Sequence, residues 1–307
     1  MGRKTQIDLT SHVGPLTMRS PLVAASGTVG SVVDFAGVAD LSVYGAAVAK
    51  SVSRQPWAGR PPPRLAPAGP GMLNAIGIQN PGIDHWIEEV SPHLAQLEVP
   101  VWGSAVGHDP AEFAQVAAGL ERAGVAAIEV NLSCPNLDGE MFSLVPAASS
   151  EVIAAVRTAT NLPVGAKLSP NAVDIAGVAG SCLEAGADFL VLTNTIWGAG
   201  VDLWTRRSLL GSGIGGYSGP PLKPISMRCV IEVHQRFPEA AIVGCGGVSN
   251  GSDVVDYLLA GASAVALGTV HFAEPKAGRR IYRELNKLLG RIGATSTSEL
   301  VGQLKLP

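Results

Sequence analysis

Three stretches share one pattern: ERAGVAAIEV at 121–130, EAGADFLVL at 184–192 and LAGASAVAL at 259–267. Each reads as the end of a helix, a glycine just past it, and then a continuous apolar run. Glycine adopts the left-handed conformation that closes a helix at little steric cost, so the pattern marks a helix leading directly into a buried strand. An apolar run that does not alternate needs cover on both faces, as in a parallel sheet. Working outward, eight such runs occur, at about 21–25, 45–50, 100–105, 126–131, 163–168, 188–193, 241–245 and 263–267. Helical stretches separate most of them. One begins at Asp109-Pro110, with proline in the first turn, and ends at Gly124; another is predicted to start near Ser149-Ser150. Eight strand–helix units predict an α/β fold, a (β/α)8 TIM barrel forming a single domain over 1–307, with an open doubly wound sheet as runner-up. The opening QIDLTSHVGPLTM alternates like a short hairpin that would plug the barrel bottom.

Composition bounds the function. The 307 residues are 47% hydrophobic and 15% charged, with 22 basic and 25 acidic side chains and a net charge of −3. Such a chain builds a large core, and it has no basic block for nucleic acid. The polar start MGRKTQIDLT does not read as a secretory leader, and no run of 18 apolar residues long enough to span a bilayer is present. The four cysteines, Cys134, Cys182, Cys229 and Cys245, contain no CxxC, so no zinc or iron–sulfur clip is legible and no metal site is expected. A cytoplasmic protein with free thiols is the plain expectation.

Polar residues collect where the predicted strands end. The endings are Ser26-Gly27, Lys50-Ser51, Asn131 to Asn136, Lys167, Thr193-Asn194-Thr195, Gly246-Gly247 and Gly268-Thr269. All fall on the C-terminal face, where barrels keep their chemistry. The glycines ending the last two strands match a barrel phosphate site, in which backbone N–H groups meet a dianion. Lys50 and Lys167 place positive charge above it. Asn74, Asn131, Asn136 and Asn194 offer donors and acceptors suited to a flat heterocycle, although asparagine is also common in turns. Two connections, 51–82 and 196–223, are long and are read as structureless functional loops on the same face. Cys134 follows a strand among polar neighbours, where a thiolate could act as base or nucleophile; no histidine lies near it in sequence, so a Cys–His pair is unsupported. The other three cysteines read as inert buried thiols.

Five motifs, NLSCPN at 131–136, KLSPNAVDI at 167–175, GMLNAIGIQNPG at 71–82, GGYSGPPLKPISMR at 215–228 and AGASAVALGT at 260–269, resemble the flavin-dependent dihydroorotate dehydrogenases. The resemblance runs from about residue 5 to 290. The cysteine in NLSCPN is similar to the soluble class, and LNAIGIQNPG to the catalytic subunit of the two-subunit, NAD-linked type. It implies FMN on the barrel with dihydroorotate stacked against it, in pyrimidine (UMP) biosynthesis. By position, Ser26, Lys50, Ser51, Asn131, Lys167, Thr193, Gly219, Gly246, Gly247, Gly268 and Thr269 would hold FMN. Lys50, Asn74, Ala75, Ile76, Gly77, Ile78, Asn131, Asn136, Asn194 and Thr195 would hold the pyrimidine. Cys134 would take the C5 proton while flavin N5 takes the C6 hydride, and Lys167 would face flavin N1 and O2. The resemblance also implies a homodimer, joined in a heterotetramer by a separate subunit carrying FAD and [2Fe–2S]. The sequence departs from many relatives at Ser104, where they carry Asn, at Thr193, and over 137–142. Rival readings are a dihydropyrimidine dehydrogenase-like module acting on uracil or thymine, and a flavin-free phosphate-binding barrel.

Overall fold

A computed structural model describes residues 7–132 and 141–307. Eight parallel strands close a barrel: β1 Leu22–Ala24, β2 Ala46–Val48, β3 Val101–Ala105, β4 Ala127–Asn131, β5 Val164–Leu168, β6 Phe189–Leu192, β7 Ile242–Cys245 and β8 Ala264–Leu267. Each lies within the apolar run that predicted it. Between the later strands run helices α1 Pro110–Arg122, α2 Pro146–Ala159, α3 Ile175–Glu184, α4 Lys223–Arg236 and α5 Gly251–Leu259, with α6 Ala277–Ile292 after β8. The chain is therefore a (β/α)8 TIM barrel.

Side-chain alternation divides the apolar residues in two. Leu22 and Ala24, Ile128 and Val130, and Val265 and Leu267 face outward into the main core. Val23, Ala127, Phe189, Ala264 and their counterparts face inward. Trp102 and Phe189 fill the lower interior, their ring centroids 5.0 Å apart. Small neighbours make room for them: a Cβ on Gly165 would overlap the Phe189 ring. The predicted hairpin forms, with Ser11–Val13 antiparallel to Leu16–Met18. Val13 and Met18 join the inner cluster beneath Trp102, so the hairpin seals the bottom.

Helix α1 starts as read: Asp109 accepts from the Glu112 N–H at 2.9 Å and Pro110 occupies the first turn. Helix α2 starts earlier than the predicted Ser149-Ser150, at Pro146. The two serines are not caps, because Ser149 Oγ donates to the Phe142 carbonyl and Ser150 Oγ to that of Ala147.

The two long connections are not structureless. Together they build a four-stranded antiparallel sheet over the barrel mouth, in the order Ile196–Gly198, Gly215–Ser218, Gly71–Asn74, Leu65–Ala68. Pro67 lies in the edge strand, where its missing N–H is tolerated. Gly216 admits the Thr195 side chain, which a Cβ would strike. A cluster of Ala66, Leu73, Ala75 and Leu210 holds this roof together. Beyond it, Val201–Asp202 and Arg207–Ser208 form a small hairpin.

Candidate active site

Strand alternation also builds the site. On β4, Ala127 faces the lower interior, Glu129 the next layer and Asn131 the mouth. On β5, Gly165 and Lys167 stand on the same inward face, with Asn131 in register with Lys167. Lys167 Nζ lies 3.1 Å from Glu129 Oε1, and both side chains are almost fully buried, at 7% and 3% exposure. Sequence reasoning missed Glu129. The signal for it was a lone carboxylate in AIEVN, two residues before Asn131 and therefore on the same face.

Above this pair lies a cavity of about 490 Å³ between the barrel mouth and the roof. It gathers Ser26, Lys50, Ser51, Asn74, Ile76, Ile78, Asn131, Lys167, Thr193, Asn194, Thr195, Gly219, Gly246, Gly247, Gly268 and Thr269 from the sequence-based set. Ala75 and Gly77 do not line it. Ala75 packs into the roof cluster, and Gly77 lies against Arg60 with φ +69°. Cys134 and Asn136 lie outside the described residues. Ser218, Ser249 and Phe272 also line the cavity and were not singled out in the sequence.

One wall is a run of hydroxyls and amides. Ser104 and Ser51 hydroxyls are 2.9 Å apart, Asn131 Nδ2 donates to Ser51 Oγ at 3.1 Å, and Asn194 Nδ2 donates to Asn131 Oδ1 at 3.2 Å. Each amide is thereby oriented before any ligand arrives. Ser104 is completely buried and holds Ser51. Thr193 Oγ1 meets Ser226 Oγ at 2.7 Å, and Ser26 Oγ donates to the Ala49 carbonyl at 2.8 Å.

The wall from the loops after β7 and β8 carries glycines among its side chains. Gly247 has φ +68°, and a Cβ there would stand 2.7 Å from the Lys223 amide nitrogen, so no other residue fits without displacement. At Gly268 an added Cβ would meet protein only at 3.8 Å, in space the cavity leaves open. Tyr257 Oη donates to the Gly246 carbonyl at 2.7 Å. Asp253 accepts from the Ser249 and Asn250 N–H groups, and Arg280 Nη1 donates to the Ser249 carbonyl at 3.1 Å. These contacts hold the loop after β7 in shape at the N-terminus of α5. Such a glycine cradle fits a phosphate, which needs backbone donors and room for close approach.

Cys245 also borders the cavity; burial pushes its thiol pKa up, with the nearby Lys167 opposing. Cys182 and Cys229 are buried, and burial pushes the Cys182 pKa up to about 12. None of these three is poised as a thiolate. Among the described residues no group of three or more His, Cys, Asp or Glu is placed to hold a metal, and no helix is long and apolar enough to cross a membrane.

A barrel with glycines and oriented amides bordering one roofed cavity belongs to the class of barrels that carry a ligand site at the C-terminal mouth. The family model for dihydroorotate dehydrogenase matches residues 8–289, and the chain belongs to that family. It is 43% identical over 302 residues to the protein named dihydroorotate dehydrogenase B (NAD(+)), catalytic subunit, of Geobacter sp. (strain M21), covering 97% of this chain and 99% of that one. It is 42% identical over 302 residues, at the same coverage, to the like-named subunit of Citrifermentans bemidjiense. The fold matches the crystal structure of DHODH in complex with ferulenol from Eimeria tenella at a TM-score of 0.81 and 22% identity, covering 98% of this chain and 89% of that one. The family is flavin-dependent in general.

Proposed function

We propose that the chain oxidises dihydroorotate to orotate in pyrimidine biosynthesis, as one barrel domain with FMN at its mouth. The observation that carries this reading is the two-walled cavity: glycine backbone suited to a phosphate on one side, pre-oriented amides suited to a pyrimidine on the other. Gly219, Gly246, Gly247, Gly268 and Thr269 would hold the phosphate, and Ser26, Lys50, Ser51, Asn131, Lys167 and Thr193 the remainder of FMN. Lys50, Asn74, Ile76, Ile78, Asn131, Asn136, Asn194 and Thr195 would hold the substrate. When bound, FMN supplies the acceptor for the hydride leaving substrate C6.

The chain's own groups do the rest. Asn131 and Asn194, each fixed by a neighbour, orient the ring through complementary donors and acceptors. Lys167, with its carboxylate partner beneath, presents positive charge where negative charge gathers during the reaction. Cys134 takes the C5 proton as general base. The roof keeps bulk water from the reacting atoms.

The names of the relatives support assembly with a second subunit. In this reading the chain forms a homodimer inside a cytoplasmic heterotetramer, and the partner carries FAD and [2Fe–2S]. Trp197, Leu203, Trp204 and Ile214, all exposed within one stretch of the outer face, suit such a contact. Anaerobic titration of the yellow protein with dihydroorotate tests the core claim, and bleaching of the visible flavin band is the expected result. Flavin released by heat should run as FMN. The chain alone should reduce dyes but not NAD, gaining NAD activity when the partner is added. A colourless protein, or one bleached by dihydrouracil and not by dihydroorotate, would defeat the reading.

A further inference from the structure

His271 has no place in the chemistry above, yet it is 98% buried on the short helix Val270–Ala273 immediately after Gly268-Thr269. Its Nδ1 lies 3.0 Å from Thr28 Oγ1 and its Nε2 2.8 Å from Tyr44 Oη. Both partners are far away in sequence. Thr28 belongs to the loop after β1, which lines the same cavity as the helix. Tyr44 is completely buried and precedes β2.

The hydrogen bonds admit one assignment that satisfies every contact. Thr28 has a single hydroxyl proton, and it is directed to the Ala25 carbonyl at 2.8 Å. Thr28 Oγ1 must therefore accept from His271, so Nδ1 carries the proton. A neutral imidazole with Nδ1–H has a bare Nε2, which accepts from the Tyr44 hydroxyl. Tyr44 Oη is packed against Gly278 at the start of α6. Glycine is required at 278, because a Cβ would overlap Tyr44 Oη. The result is one directional relay: Tyr44 to His271, His271 to Thr28, Thr28 to the Ala25 carbonyl. It ties the short helix Val270–Ala273, the segment before β2 and the β1 loop together behind the cavity wall.

We propose that His271, held as the neutral Nδ1–H tautomer by this relay, is a positioning residue that clamps the Gly268-Thr269 segment against the β1 loop and so shapes the pocket for a terminal phosphate. The inference rests on the reading that a phosphate-bearing flavin occupies the cavity. His271 touches no ligand itself. Its effect passes through the backbone that the ligand phosphate meets.

The test compares FMN with riboflavin, which has the same ring system and no phosphate. Apoprotein of the wild type, His271→Phe and Thr28→Val is titrated with each, following quenching of flavin fluorescence. Loss of a buried hydrogen bond of this kind is expected to weaken FMN binding by about tenfold, while riboflavin binding changes less than twofold. In parallel, ¹⁵N-histidine spectra of the wild-type chain should give an Nδ1-protonated signal for His271. Equal weakening of both flavins would reduce His271 to a general structural role and overturn the clamp. So would unchanged FMN affinity in both variants, or an Nε2-protonated tautomer. The tautomer measurement stands even where a variant fails to fold. Wild-type protein that folds but binds neither FMN nor inorganic phosphate would overturn the cofactor reading and the clamp with it, whereas FMN-binding wild type with indistinguishable variants overturns the clamp alone.

Discussion

Replacing Glu129 with alanine removes the carboxylate beneath Lys167, and the chain is expected to lose about 3–5 kcal/mol of stability, the usual cost of breaking a buried ion pair from one side. The structure supports the upper part of that range. The charges are 3.1 Å apart and both side chains are nearly inaccessible to water. At that separation and an effective dielectric of about 20, their attraction is on the order of 5 kcal/mol. The lysine left behind loses the carboxylate that offsets the cost of its burial. Replacing both partners, as Glu129→Leu with Lys167→Met, should return most of the loss, because neither half of the ion pair is then buried without the other. Urea unfolding followed by far-ultraviolet circular dichroism measures all three proteins. A single-variant loss below about 1 kcal/mol, or a double variant no more stable than the single one, would refute the argument that the pair acts as a unit.

Burial pushes the His271 pKa down from 6.5 to about 4. The unfolded chain therefore binds this proton first, and stability should be full above about pH 6.5 and fall by roughly 3 kcal/mol as pH drops to 4; a His271→Phe protein whose melting temperature falls as steeply as that of the wild type over this range would contradict it. Cys134→Ala should keep its flavin yet be reduced by dihydroorotate roughly 10²–10⁴ times more slowly, the range for a lost general base, in stopped-flow measurements. Gly247→Val puts a branched side chain where φ is +68° and the Lys223 amide stands 2.7 Å from a Cβ. Protein purified with this change should be largely colourless, and full flavin content would argue against the cradle.

The strands were legible because barrel strands covered on both faces need unbroken apolar runs, and turn glycines such as Gly124 and Gly186 mark where those runs begin. The same local chemistry misled at α2. Ser149-Ser150 has the composition of a cap, but Pro146, three residues earlier, already has the fixed φ that starts a helix. The roof was not legible at all. Its strands are three or four residues long and rich in glycine and proline, and Asn74 meets Gly216 across 142 positions of sequence. No local periodicity reports such a pairing. Among the site residues, strand-end position identified the cavity lining well, whereas Ala75 and Gly77, carried along with the 74–78 segment, do not border it. Neither Glu129 nor His271 was read as having a role, for a common reason. A single polar residue in an apolar context declares itself only when its partner, Lys167 or Thr28, is brought beside it by the closed barrel.

The roof has a consequence for the order in which the molecule is assembled. Its central pairing joins a segment leaving β2 to one leaving β6, so closing it entails a loop of well over a hundred residues unless the intervening strands already stand in place. Pulse-labelled hydrogen exchange should accordingly find the Tyr217 amide protected after that of Val130. On that order the mouth of the barrel stays open until the roof pairs, which leaves the cavity accessible to a planar ligand before its cover forms.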